Sequence, residues 1–160
     1  IGGLLADRLG AVLVSSDRVR KEMAGLDPLT YAGAAYHHGI YGPVQTEQTY
    51  GELLRRAGEL LTHGESVVLD ASWSDARFRD KARRLAADTH SAYFPLRCDT
   101  PADLAAERIR ARTGSMSDAD PVVAAAMAAD ACPWPDAITI RSAGDAADAL
   151  SDALRALDVS

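Results

Sequence analysis

Apolar positions along the chain come in two textures. Short runs that are apolar on both faces, AVLV at 11–14, SVVL at 66–69, AYFPL at 92–96 and AITI at 137–140, are separated by longer stretches where apolar residues return every three or four positions. The first texture predicts buried parallel strands and the second amphipathic helices. The plainest helix carries Tyr50, Leu53, Leu54, Ala57, Leu60 and Leu61 on one face, with Thr46 able to cap its start and Gly64 following its end. Thr100-Pro101 with Asp103 offers a cap, a proline at the first helical position and an early acid, so a helix is expected from about 101 to about 113, stopped by Gly114. Further helices are expected over RVRKEMAGL at 18–26 and over segments at roughly 75–89, 121–131 and 145–157.

Strands alternating with helices predict an α/β fold with a parallel sheet covered on both faces, because parallel neighbours need a crossover and the crossover is usually helical. Such sheets bind ligands beyond the carboxyl ends of their strands. There the pattern delivers Ser15, Ser16 and Asp17 after the first strand, Asp70 after the second, and Arg97 and Asp99 after the third. Asp70 suits two roles: an acid that holds magnesium beside phosphates, or one that binds backbone amides of the following turn. Asp17 also suits two, as a helix cap or as a group that orients or deprotonates an attacking hydroxyl. Arg20 is expected in the first turn of its helix, where a cation opposes the dipole, and an anionic ligand would explain it. Arg108 and Arg112 share a helix face with no acid three or four positions away. They suit a cover that brings positive charge onto phosphate, or else a solvated face or long-range pairs with Asp118 and Asp120.

Composition narrows the partners. A chain of 160 residues fits one domain, and a net charge of -6 opposes broad attraction to nucleic acid. Cys98 and Cys132 have neither CxxC spacing nor a histidine pair nearby, so no disulfide framework or zinc site is expected and the chain reads as cytoplasmic. No stretch predicts a membrane span. The adjacent His37 and His38 point apart on regular structure and do not form a chelate. Tyr31, Tyr36 and Tyr41 read as aromatic anchors of a surface loop. Arg77 and Arg79 read mainly as an exposed basic face, Trp134 as a packing anchor and Cys98 as core filler.

Three stretches, DRLGAVLVSSDRVRKEMAGL, YGELLRRAGELLTHGESVVLDASW and RIRARTGSMSDADP, resemble the small P-loop kinases grouped with polynucleotide 5'-hydroxyl kinases, gluconate kinases and zeta-toxin-like kinases. The nearest likeness is to the ATP-binding domain of bacterial bifunctional proteins that join it to an aminoglycoside-phosphotransferase-like domain. The resemblance implies a nucleoside-kinase-like, three-layer P-loop NTPase fold, ATP and Mg2+ as cofactors, and a small-molecule hydroxyl as acceptor. It implies that Asp17 is the substrate-side acid of a D-x-x-R pattern and Arg20 its arginine. Asp70 matches the Walker B acid, and Arg108 and Arg112 the lid arginines.

These kinases open with a strand and G-x-x-x-x-G-K-[ST], whose amides and lysine cradle the phosphates. That motif is absent from the 160 residues, and no lysine follows Gly2-Gly3. The expectation is therefore a single P-loop kinase-like domain over 1–160, N-terminally incomplete and part of a longer protein with a fused phosphotransferase-like domain as partner. The missing strand would lie in mid-sheet, so its loss would leave two inward edges without ladder partners. These residues alone are expected to bind ATP weakly or not at all. Two other functions stand beside the small-molecule kinase: a nucleotide-sensing module, and a nucleic-acid 5'-hydroxyl kinase, against which the acidic charge argues.

Overall fold

A computed structural model describes residues 1–27, 42–111 and 128–158. Its elements run α1 (Gly2–Leu9), β1 (Val12–Ser15), α2 (Ser16–Met23), α3 (Pro43–Thr62), β2 (Val67–Asp70), α4 (Ala76–Asp88), β3 (Leu96–Asp99), α5 (Ala102–Ala111), β4 (Ile138–Arg141) and α6 (Ala146–Asp158). Strands β1 and β2 pair in parallel from Val12 opposite Val67 to Ser15 opposite Asp70. Strands β3 and β4 pair in parallel from Leu96 opposite Ile138 to Asp99 opposite Arg141. Among the described residues no ladder joins the two pairs.

The alternation of side chains along β2 builds the layers. Val67 and Leu69 pack into a cluster of Val14, Val19, Tyr50, Leu53 and Phe78, which belongs to α2, α3 and α4. Val68 turns the other way, into a cluster of Leu5, Ile140, Ala149 and Ala153 fed by α1 and α6. Leu96 of β3 packs into that same second cluster, so the two strand pairs share a core although no hydrogen bonds link them.

Several expectations change. The third strand begins only at Leu96, the last residue of the expected run 92–96, because Pro95 lacks an amide hydrogen and contributes only its carbonyl, which accepts from Ile138 N at 2.8 Å. The strands are not buried on both faces: Leu13 and Ile138 are 36% and 39% exposed, as befits strands that each have one unpaired edge among the described residues. Helix α3 starts at Pro43 with Gly42 as its cap, so Thr46 is inside the helix and its N–H donates to the Gly42 carbonyl at 2.8 Å. Helix α1 is not among those expected. It closes on Gly10, whose φ of 62° lets its own N–H reach the Asp7 carbonyl while Ala11 N–H reaches Ala6. The expected helix at 121–131 lies almost wholly outside the described residues.

Arg79 does not belong to an exposed basic face. It is 6% exposed, its Nη1 and Nη2 donate to the carbonyls of Cys132 and Pro133 at 3.2 and 3.1 Å, and its guanidinium lies 5.0 Å from the centre of the Trp134 ring. The Cys132 N–H in turn donates to the Ser74 carbonyl at 2.9 Å, which fastens this segment to the turn before α4. Arg77 is exposed and paired with Asp75, the cap of α4.

Helices α2 and α3 are tied at the surface by Arg56, which bridges Glu22 of α2 at 2.6 Å and Glu52 of α3 at 2.8 Å. Hydrogen bonds from Arg55 and then Arg56 hold the Glu52 carboxyl at about 2, and those from Arg56 and Arg18 lower Glu22. Both acids lose their protons more readily in the folded chain. Their contribution is therefore complete above the unfolded value of 4.5 and fades as pH falls toward 2.

Two outcomes follow. Leu53 is fully buried between α3 and the β1–β2 pair, and Leu53→Ala should cost about 2–5 kcal/mol in urea denaturation. Arg56→Met should lower Tm by a few degrees at neutral pH and flatten the fall in Tm between about pH 5 and about pH 2. Parallel Tm-versus-pH curves for the two proteins would count against the bridge.

Candidate active site

Register decides where the acids go. With Ser15 opposite Asp70, β1 and β2 end at the same rim, and Asp17 follows two residues beyond Ser15. Asp70 is exposed there, and the first turn of α1 rests against it: a Cβ on Gly2 would lie 3.2 Å from the Asp70 Cγ. The amide end of α1, with its partial positive charge, thus borders the carboxylate. Burial pushes the Cys98 thiol above its usual range and Asp70 acts in the same direction, although the residue keeps an exposed surface and is not core filler.

Helix α2 runs from Ser16 to Met23, starting and ending two to three residues before the expected 18–26, which changes the reading of two residues. Its cap is Ser15, in extended conformation, so Asp17 is a first-turn acid that complements the dipole and does not cap the helix. Arg20 falls in the last turn of these eight residues, where a cation suits the dipole, and the dipole no longer argues for an anionic ligand. Arg20 is 8% exposed, and its Nη1 reaches the Thr46 Oγ1 at 3.4 Å, so it forms the inner wall between α2 and α3.

Beside that wall lies a group that the periodicity of α3 presents only as core. The Tyr50 hydroxyl accepts the Trp73 N–H at 3.1 Å and lies 3.1 Å from the Ser72 Oγ. Burial raises the phenol above its ordinary value, against the lowering effect of these two hydrogen bonds and of Arg20. The sequence signal is D-A-S-W directly after an apolar strand, which marks a polar turn behind Asp70 without revealing its partner on α3.

At the far rim, Arg108 donates to the carbonyls of Ser142, Ala143 and Gly144, the latter two at 3.0 and 2.8 Å. Ser142 is a hub: its Oγ lies 2.6 Å from the Thr100 Oγ1 and donates to the Asp99 carbonyl at 3.1 Å. Among the described residues Arg108 has carbonyl dipoles but no carboxylate against it, so its charge is not neutralised. Arg112 lies outside the described residues, as do Gly114, Ser115 and Ser117, the tyrosines at 31, 36 and 41, and His37 and His38.

The donor set is sparse. Among the described residues no cluster of three or more His, Cys, Asp or Glu side chains could hold a metal alone. A lone exposed carboxylate at a strand end suits magnesium, which keeps waters and takes phosphate oxygens beside one or two acids. None of the described helices is long and apolar enough to cross a membrane.

Comparison with known proteins bears on the whole chain. Residues 4–131 match the family described as AAA domain. Over 140 residues, 88% of its length, the chain is 41% identical to the uncharacterized proteins Rv2004c of Mycobacterium tuberculosis and Mb2027c of Mycobacterium bovis. It spans 28% of the length of those curated relatives. The fold is similar to that of a gluconokinase from Sinorhizobium meliloti 1021, with a TM-score of 0.64 and 20% identity over 99% of this chain and 83% of the other. The strand and helix pattern predicts an α/β fold with parallel strands, and that is the fold found.

The Ser142 hub yields a stability test. Ser142 is 7% exposed, and Ser142→Ala should leave the Thr100 hydroxyl short of a partner at a cost of about 1–3 kcal/mol in urea denaturation. A value near zero would mean that water takes over the contact.

Proposed function

Because the chain belongs to the AAA domain family, we propose that it forms the core of an ATP-dependent phosphotransferase that acts on a hydroxyl of a small molecule. The observation that carries this reading is the shared rim: Ser15 pairs opposite Asp70, so Asp17 and Asp70 belong to neighbouring strand ends. Asp17 takes the proton of the acceptor hydroxyl as it attacks, and Arg20 orients the acceptor against α2. Asp70 holds Mg2+, which when bound neutralises β- and γ-phosphate oxygens. Arg108 and Arg112 place positive charge over the transferring phosphate; for Arg108 this agrees with a guanidinium fixed by carbonyls and short of an anion.

The lysine-bearing phosphate cradle belongs, in this proposal, to a strand and loop ahead of Ile1 in the full-length gene product. The facing edges of β2 and β3 support that placement, since they share an apolar cluster without a ladder between them. The structural neighbour is named a gluconokinase, and a small polyhydroxylated acceptor is in keeping with the proposed class.

The full-length gene product should transfer phosphate from ATP to a member of a panel of hydroxylated metabolites. Asp17→Asn should slow that transfer by about 10²–10⁴ while ATP binding persists. Unchanged transfer would remove Asp17 from the chemistry. Nucleotide binding with no acceptor in the panel, and no effect of Asp17→Asn, would favour a nucleotide-sensing module.

A further inference from the structure

Asp70 ends β2, and the residues behind it run through an irregular turn before α4 begins at Ala76. Within that turn Trp73 has a φ of 50°. A bulky side chain takes up this left-handed backbone only where its surroundings hold it there. The holding contacts come from α3. Tyr50, 3% exposed, stacks on Phe78 with ring centres 4.0 Å apart and meets the edge of Trp73 at 5.3 Å. Its hydroxyl accepts the Trp73 N–H at 3.1 Å and lies 3.1 Å from the Ser72 Oγ. The Trp73 indole N–H reaches back to the Leu69 carbonyl at 3.4 Å, so the turn is tied on both sides of Asp70. Burial keeps the phenol protonated, which leaves it a hydrogen to give Ser72 while a lone pair takes the Trp73 amide.

We infer that Tyr50 is a positioning residue for the Asp70 carboxylate: its hydroxyl fixes the strained Ser72–Trp73 backbone, and that backbone fixes the direction in which the carboxylate leaves β2. The inference rests on the proposed role of Asp70 as the magnesium acid. Magnesium demands a near-ideal octahedron, so a carboxylate free to wander by a fraction of an ångström binds it less well. No other described hydroxyl reaches both residues of the turn, and the aromatic stack that carries the Tyr50 hydroxyl survives its removal.

The test uses the full-length gene product with Tyr50→Phe, Ser72→Ala and Asp70→Asn. Two quantities are read: hydrogen exchange of the 70–75 amides without metal or nucleotide, and the Mg2+ concentration that half-saturates equilibrium ATP binding. Tyr50→Phe should speed exchange at Trp73 by about tenfold or more and raise the Mg2+ half-saturation by about tenfold, with ATP binding at saturating Mg2+ close to wild type. Ser72→Ala should shift both in the same direction by less, about threefold, and it decides the matter should Tyr50→Phe fail to fold. Faster exchange with an unmoved Mg2+ requirement would reduce Tyr50 to a structural role and overturn the inference. So would unchanged exchange. If Asp70→Asn itself leaves the Mg2+ requirement unmoved, the assignment of the metal acid falls, an outcome distinct from a shift with Asp70→Asn and none with Tyr50→Phe.

Discussion

The register of one four-residue parallel ladder is the constraint from which the rest follows. Val12 opposite Val67 and Ser15 opposite Asp70 is the pairing that lets Val67 and Leu69 face Tyr50, Leu53 and Phe78 while Val68 faces Leu5 and Ile140. A slip by one residue would turn each of these side chains to the wrong face and empty both clusters at once. The hydrophobic core therefore sets the rim, and the shared position of Asp17 and Asp70 at that rim is as firm as the packing beneath it. Two acids brought together in this way need no direct bond between them.

Charge along the molecule is divided between neutralised and open positions. Arg55, Arg56, Arg77, Arg83 and Arg155 each have a carboxylate within ion-pair distance, and all lie on outer helix surfaces. Arg108, held by three carbonyls, is of another kind, since dipoles orient a guanidinium without cancelling it.

What could be read from the residues was what depends on near neighbours in sequence. The strand at 66–69 and the long helix before it follow from apolar spacing, and Asp70 follows from a run of apolar residues ending in an acid. Errors arose where one residue outweighed the pattern or where the partner was remote. Pro95 cannot donate to a ladder, so the strand at 92–96 moved to Leu96–Asp99. Helix α2 starts at Ser16 on a Ser15 cap and ends at Met23 ahead of Gly25, whose φ is 69°, and together these shifts move Arg20 from the first turn to the last. Gly10 was the readable sign of α1. Arg79 has its acceptors 53 and 54 positions away, and Tyr50 meets Ser72 across 22, distances at which periodicity carries no information. Each of these three side chains is buried or polar in a way that only the folded chain explains.

The two strand pairs impose one more condition. Val68 and Leu96 touch the same apolar cluster, so β2 and β3 share a core without a ladder between them. Among the described residues no strand pairs the second edges of β2 and β3, and of their N–H and C=O groups the Leu69 carbonyl takes the Trp73 indole N–H. Leaving such groups without partners beside a hydrophobic cluster costs more than most single side-chain contacts return.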